Sequence, residues 1–189
     1  MLLHVPNVLS KEQVQSIRQA MEQDNQWVSG KKTAGGQAQQ IKNNLQINLD
    51  SPLYQELNQF VLQQIKHSAL IQSFALPKDI LPPLFNCYQD TGHYGNHVDN
   101  AVQYSSSIGQ AIRTDVSITV FLSELDEYAG GELIVEGLAE RVQVRTAVGV
   151  HDALGFSGGT RGVVDRDDGP FVGHRPRQRG GGQIGRAHV

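Results

Sequence analysis

The apolar residues of this chain change period once, near Ile80, and that change limits the folds open to it. Before it the spacing is helical. Ser10 and Gln13 form a capping-box pattern, in which hydroxyl and amide each satisfy an orphan backbone N–H, and Val14, Ile17 and Met21 then recur on one face. A helix is predicted over 11–23. Ser51-Pro52 is a second start signal, since proline is tolerated in a first turn. Leu53, Leu57, Phe60, Val61 and Ile65 then make one stripe, predicting a helix over 52–67 with a core face. Leu2 to Leu9 and Trp27-Val28 fit short strands, and Gly30 to Gln39 reads as a polar loop bordering any site. From Ile80 the period is two, with strands predicted at 84–88, 96–99, 112–122, 132–136 and 141–145. In the long one Val116, Ile118, Val120 and Leu122 lie on one face and Ser117, Thr119 and Phe121 on the other. Gly130-Gly131 is a turn signal between two strands. Two helices followed by many short strands imply an α+β fold, with helices packed on a β-sandwich or jelly roll.

A chain of 189 residues suits one domain with a substantial core. The net charge of −3 offers no basic field for nucleic acid. No apolar run approaches the ~20 residues of a membrane span, and the N-terminus lacks the pattern of a secretory signal. The lone Cys87 cannot form an intramolecular disulfide, which favours a reducing compartment, so a cytoplasmic location is expected. Between Phe85 and Tyr88, Cys87 itself fits a core position.

Chemistry concentrates at His97-Val98-Asp99. Residues two apart on a strand face the same way, so an imidazole nitrogen and a carboxylate oxygen there form half a claw for a divalent metal. Two-histidine, one-carboxylate sites with open positions suit non-haem Fe(II) enzymes. His-x-Asp alone is a weak motif, but Phe85, Tyr88, Gly92, Tyr94 and Gly95 crowd in before it. His93 and Tyr94 are placed to line its mouth, with a surface position favoured for His93. Arg113 and Glu132 fit a solvated strand start and a strand edge.

The order FNCY, GHYGNHVDNA, IRTDVSITVFLSELDEYAGGELIVE resembles the PKHD-type hydroxylases of bacteria, as do MLLHVPNVLSKEQVQSIRQAM and TAGGQAQQIKNN near the N-terminus. These are Fe(II)- and 2-oxoglutarate-dependent dioxygenases similar to the prolyl 4-hydroxylase catalytic domain. The resemblance implies a double-stranded β-helix, a jelly roll whose open mouth holds the iron. It implies His97 and Asp99 as metal ligands, and Tyr88 at a position that hydrogen-bonds the co-substrate. Fe(II), 2-oxoglutarate, O2 and possible use of ascorbate follow from it, with a small-molecule or peptidyl substrate. No catalytic side chain beyond the ligands is assigned, and oligomeric state is left open.

Past Glu136 the resemblance fades. The family's second histidine should fall near Thr160 on a returning strand, followed by an arginine that pairs with the far carboxylate of 2-oxoglutarate. His151 comes early and His174 late, although His151 and Arg161 have a family-like mutual spacing and are the candidates for those roles. From 157 to 189 glycine and arginine dominate without apolar periodicity. Such a composition is expected of sequence read out of frame, and Ile184 to Val189 is what a common short-read adapter encodes in one frame. The domain is therefore expected to occupy 1–156, followed by a non-native tail at 157–189 that does not pack. Without a third protein ligand and the arginine, the chain is expected to bind Fe(II) weakly and turn over poorly. The alternative is a cupin-like binding or structural jelly roll without turnover.

Overall fold

The computed structural model describes the backbone of residues 2–106, 109–124, 127–128, 133–136, 141–144, 148–152, 161–163 and 184–188, and side chains as far as Val135, Gln37 apart. Helix α1 spans Lys11–Gln23. Its capping box forms as predicted, the Gln13 N–H donating to Ser10 Oγ at 3.2 Å and the Ser10 N–H to Gln13 Oε1 at 2.7 Å. Helix α2, Pro52–His67, is capped by Ser51, whose Oγ accepts from the Tyr54 N–H at 3.0 Å. A third helix, α3 at Ala69–Ala75, follows at once because Ser68 ends one helix and caps the next. Sequence periodicity does not separate such a short element from the chain around it.

The strands are β1 (Leu2–Val5), β2 (Trp27–Ser29), β3 (Lys42–Asn43), β4 (Leu45–Ile47), β5 (Leu84–Tyr88), β6 (His93–Tyr94) and β7 (Val102–Ser105). They continue as β8 (Gln110–Arg113), β9 (Val116–Phe121), β10 (Leu133–Glu136), β11 (Arg141–Val144), β12 (Val148–Asp152), β13 (Arg161–Val163) and β14 (Ile184–His188). A seven-stranded sheet runs β1-β12-β9-β14-β5-β4-β2, and a three-stranded sheet runs β11-β10-β13. Two small ribbons, β3-β6 and β7-β8, complete the set.

Two predicted strands change. The stretch 112–122 is broken at Thr114-Asp115, where the Thr114 N–H turns back to the Ala101 carbonyl at 3.0 Å. Its first part pairs instead with β7 in a hairpin, with Gly109 supplying a positive φ of 73° in its turn. The stretch 96–99 is not a strand. Only His97 makes a single bridge, and irregular backbone follows. The loop predicted at 30–39 is wound into two short 3-10 turns, Gly30–Thr33 and Gly36–Gln40.

Helices and large sheet share one core. Ile17 and Met21 of α1, Tyr54, Leu57, Val61 and Ile65 of α2, and Ile71 of α3 pack with Ile47, Phe85, Ile118, Val120 and Leu122. Tyr54 meets Phe85 edge-on at 6.3 Å, a favoured aromatic geometry. Burial pushes the Tyr54 phenol up to about 12 and the Cys87 thiol up to about 11, as core positions should. Alternation along β4, β5 and β9 therefore leaves Gln46, Asn86, Tyr88, Ser117 and Thr119 on the opposite face, also buried. Gly130, Gly131, Glu132, Thr160 and His174 lie outside the described residues, as does most of 157–189. Within that last stretch, β13 pairs with β10, and β14 lies between β5 and β9.

Candidate metal centre

The site is built where β5 ends and the chain turns back. Gly92 donates its N–H to the Gln89 carbonyl at 2.6 Å, and a Cβ there would stand 2.9 Å from Gln89 backbone atoms, so the turn needs glycine. Gly95 next donates to the Ile41 carbonyl at 2.9 Å, which ties β6 to β3. These two anchors deliver Tyr94 and His97 to one place. Their rings stack at 3.7 Å with 17° between planes.

His97 Nδ1 lies 2.8 Å from the Gly95 carbonyl oxygen. A carbonyl only accepts, so Nδ1 carries a proton there and Nε2 is the ring nitrogen left to face other groups. That Nε2 faces Asp99 Oδ1 at 3.3 Å, with both side chains largely buried. The other carboxylate oxygen, Oδ2, accepts the Ser117 hydroxyl at 2.6 Å. Two acceptors held face to face repel unless a proton or a cation lies between them. Two donors bound side by side to one divalent ion at ~2.1 Å stand ~3 Å apart. The donor set and its spacing therefore fit a metal ion. The i, i+2 pair meets as predicted, but by an irregular turn pinned at Gly95 rather than by strand alternation.

Asp99 and Ser117 line a cavity of about 1030 Å³, together with Thr33 and Tyr104. Burial first, then the neighbouring Asp99 and Tyr88, push the Tyr94 phenol up to about 12, so it stays protonated and neutral. Tyr88 is buried on the site face of β5. His93 is exposed, its Nδ1 turned to the Thr91 carbonyl, and Arg113 pairs with Asp115 in solvent; both are surface residues as expected.

The backbone register places His151 directly opposite Ser117, the residue that holds Asp99. Arg161 lies in the other sheet, opposite Glu136. Among residues with described side chains no group of three metal-ligating residues forms. One feature beside the site has no apolar signature: Lys42, Asn44 and Gln46 are buried while Asn43 and Leu45 are exposed. Their alternation was the available signal, hidden because polar residues carry it.

The chain resembles several curated bacterial proteins. It is 46% identical over 149 residues to a PKHD-type hydroxylase of Saccharophagus degradans, covering 79% of this chain and 66% of that protein. It is 41% identical over 170 residues to one of Acinetobacter baumannii (85% and 74%), and 46% identical over 158 residues to one of Delftia acidovorans (84% and 69%). The chain thus spans about two thirds to three quarters of these relatives. No family model matches it. Among solved structures, a Pseudomonas putida prolyl-4-hydroxylase superposes with a TM-score of 0.56 at 13% identity, covering 99% of this chain and 90% of that one. A viral collagen prolyl hydroxylase from Paramecium bursaria Chlorella virus-1, in complex with 2OG, gives 0.54 at 13%, covering 99% and 93%. At that identity the likeness establishes the fold alone, a jelly roll. No helix among the described residues is long and apolar enough to cross a membrane.

Proposed function

The chain belongs to the PKHD-type hydroxylase family, and from that premise we propose that it is an Fe(II)- and 2-oxoglutarate-dependent dioxygenase acting on a small-molecule or peptidyl substrate. The observation that carries this is the facing pair of metal-ligating atoms, His97 Nε2 and Asp99 Oδ1, at 3.3 Å. These two residues would hold the iron, and His151, opposite Ser117 in the sheet register, is the candidate for the third ligand. When bound, the iron supplies oxygen activation coupled to decarboxylation of 2-oxoglutarate.

The chain's own residues prepare that site. The Gly95 carbonyl fixes the His97 tautomer, an outer-shell contact that commonly orients a metal-binding imidazole. The Ser117 hydroxyl holds one carboxylate oxygen of Asp99 and so sets the direction of the other. Tyr94 covers one face of the imidazole and keeps water off it. Tyr88, buried beside this group, is assigned to hydrogen-bond the co-substrate. Ascorbate as a reductant and a cytoplasmic location belong to the same reading, supported by the family resemblance and the single cysteine.

The test is succinate release from 2-oxoglutarate with Fe(II), comparing the chain with His97→Ala. Slow release that needs Fe(II) and His97 is expected. Release indifferent to His97, or none from either protein with Fe(II) and 2-oxoglutarate in excess, would favour a jelly roll without turnover.

A further inference from the structure

Lys42 is 4% exposed, and among the described residues no carboxylate pairs with its ammonium. One long hydrogen bond reaches it, 3.4 Å to Thr33 Oγ1, and that hydroxyl is itself held 2.7 Å from Gln46 Oε1. The other partner is the Tyr94 ring, whose centroid lies 4.9 Å from Nζ. A buried cation with so few acceptors is costly to keep. The aromatic face is thus its principal partner, in an attraction that strengthens when both groups are out of water.

The place of this contact gives it a consequence. Lys42 and Tyr94 stand directly opposite each other in β3 and β6, strands of two residues each. So short a ribbon has little stability of its own, and the side-chain pair across it decides where it sits. Gly95 comes next, where a Cβ would stand 3.1 Å from Ile41 Cβ, so the two segments approach closely. The ribbon grips His97 twice. The Gly95 carbonyl holds Nδ1 at 2.8 Å, and the Tyr94 ring lies against the imidazole at 3.7 Å, 17° from parallel. A hydrogen bond fixes the direction of Nδ1 but leaves the plane of the ring to be set. The stacked Tyr94 sets it, and Lys42 is what seats Tyr94.

We propose that Lys42 is a positioning residue of the metal centre: its ammonium holds Tyr94 against His97 and so fixes the plane in which Nε2 meets the metal. This rests on the metal-centre part of the oxygenase reading and deepens it. Charge alone would act in the opposite sense, because removing a cation from beside a divalent ion strengthens binding. The direction of change therefore separates seating from charge.

The test uses the full chain and the variants Lys42→Met, Lys42→Arg, Tyr94→Leu and the double variant Lys42→Met/Tyr94→Leu. Mn(II) affinity is read by calorimetry. The His97 ring protons, assigned by their loss in His97→Ala, are followed by NMR without metal. The stacked tyrosine shields those protons, so their resonances lie upfield in the wild type. In Lys42→Met the upfield displacement is expected to shrink and Mn(II) affinity to fall about tenfold, while stability does not fall. Lys42→Gln takes the place of Lys42→Met if the latter does not fold. Lys42→Arg keeps a cation over the ring and is expected to keep both properties. In the Tyr94→Leu background Lys42→Met is expected to weaken Mn(II) no further, since the ring it acts through is gone. Unchanged or tighter Mn(II) binding by Lys42→Met, unmoved His97 resonances, the same loss from Lys42→Arg, or an equal loss in both backgrounds would overturn the proposal. Mn(II) bound equally by wild type and His97→Ala would refute the metal centre itself, whatever Lys42 does.

Discussion

The two faces of the large sheet are buried to the same extent and made of opposite materials. On one, Ile47, Phe85, Ile118 and Val120 pack against the helices. On the other, Gln46, Asn86, Ser117 and Thr119 are as deeply enclosed, with Lys42 and Asn44 beside them. Apolar burial stabilises at roughly 25 cal/mol per Å², whereas polar burial at best breaks even when every group finds a partner. The first face explains why the chain folds. The second carries the facing His97–Asp99 pair, which the proposed metal would bridge, and the buried donors of Lys42 and Gln46.

The contrast predicts unequal responses to substitution. Phe85→Ala, on the helix side, removes a ring with no exposure and is expected to cost about 3–5 kcal/mol of stability, read by chemical denaturation. A loss below about 1 kcal/mol would mean the helix-side core has been misplaced. Lys42→Met, on the site side, is expected to stabilise at neutral pH, by as much as about 3 kcal/mol. Lys42 is lowered to about 8 from 10.5, so between those values the unfolded chain binds more protons than the folded one. Its contribution to stability therefore rises with pH across 8–10.5. Cys87 and the raised tyrosines slope the opposite way above their ordinary values, because the folded state keeps their protons. The difference between wild type and Lys42→Met isolates the lysine, and a flat difference across that window would remove the buried charge from the account. Ser117→Ala should lower metal affinity by about ten- to a hundredfold while stability falls by only about 1 kcal/mol. Mn(II) titration beside denaturation checks both. The smallest effect belongs to Ser10→Ala, remote from either face, which should cost about 1 kcal/mol and leave metal binding untouched.

The helix-side face was legible in the sequence because its signals are apolar. Ser10, Ser51 and the stripes behind them placed two helices to the residue, and Leu84–Tyr88 was placed equally well. His97 and Asp99 were found as a pair, though the geometry that joins them comes from Gly92, Gly95 and the β3-β6 ribbon. Pairing between segments so far apart, such as Lys42 with Tyr94, leaves no local period to detect. The polar row Lys42, Asn44, Gln46 was missed for a related reason: alternation is sought in apolar residues, and here buried positions are polar. His151 looked too early when counted along the chain, yet register sets it opposite Ser117. Distance along a sequence is a poor guide where loop lengths differ.

The central claim is that the polar face is completed by metal and co-substrate, and thermal unfolding with and without both ligands tests it most directly. A ligand bound only by the folded state at a hundred times its Kd adds about 2.7 kcal/mol. Fe(II) under anaerobic conditions with 2-oxoglutarate should therefore raise the Tm of this chain by several degrees, and His97→Ala should abolish the rise. An unchanged Tm in the wild type, or an equal rise in both proteins, would contradict the account.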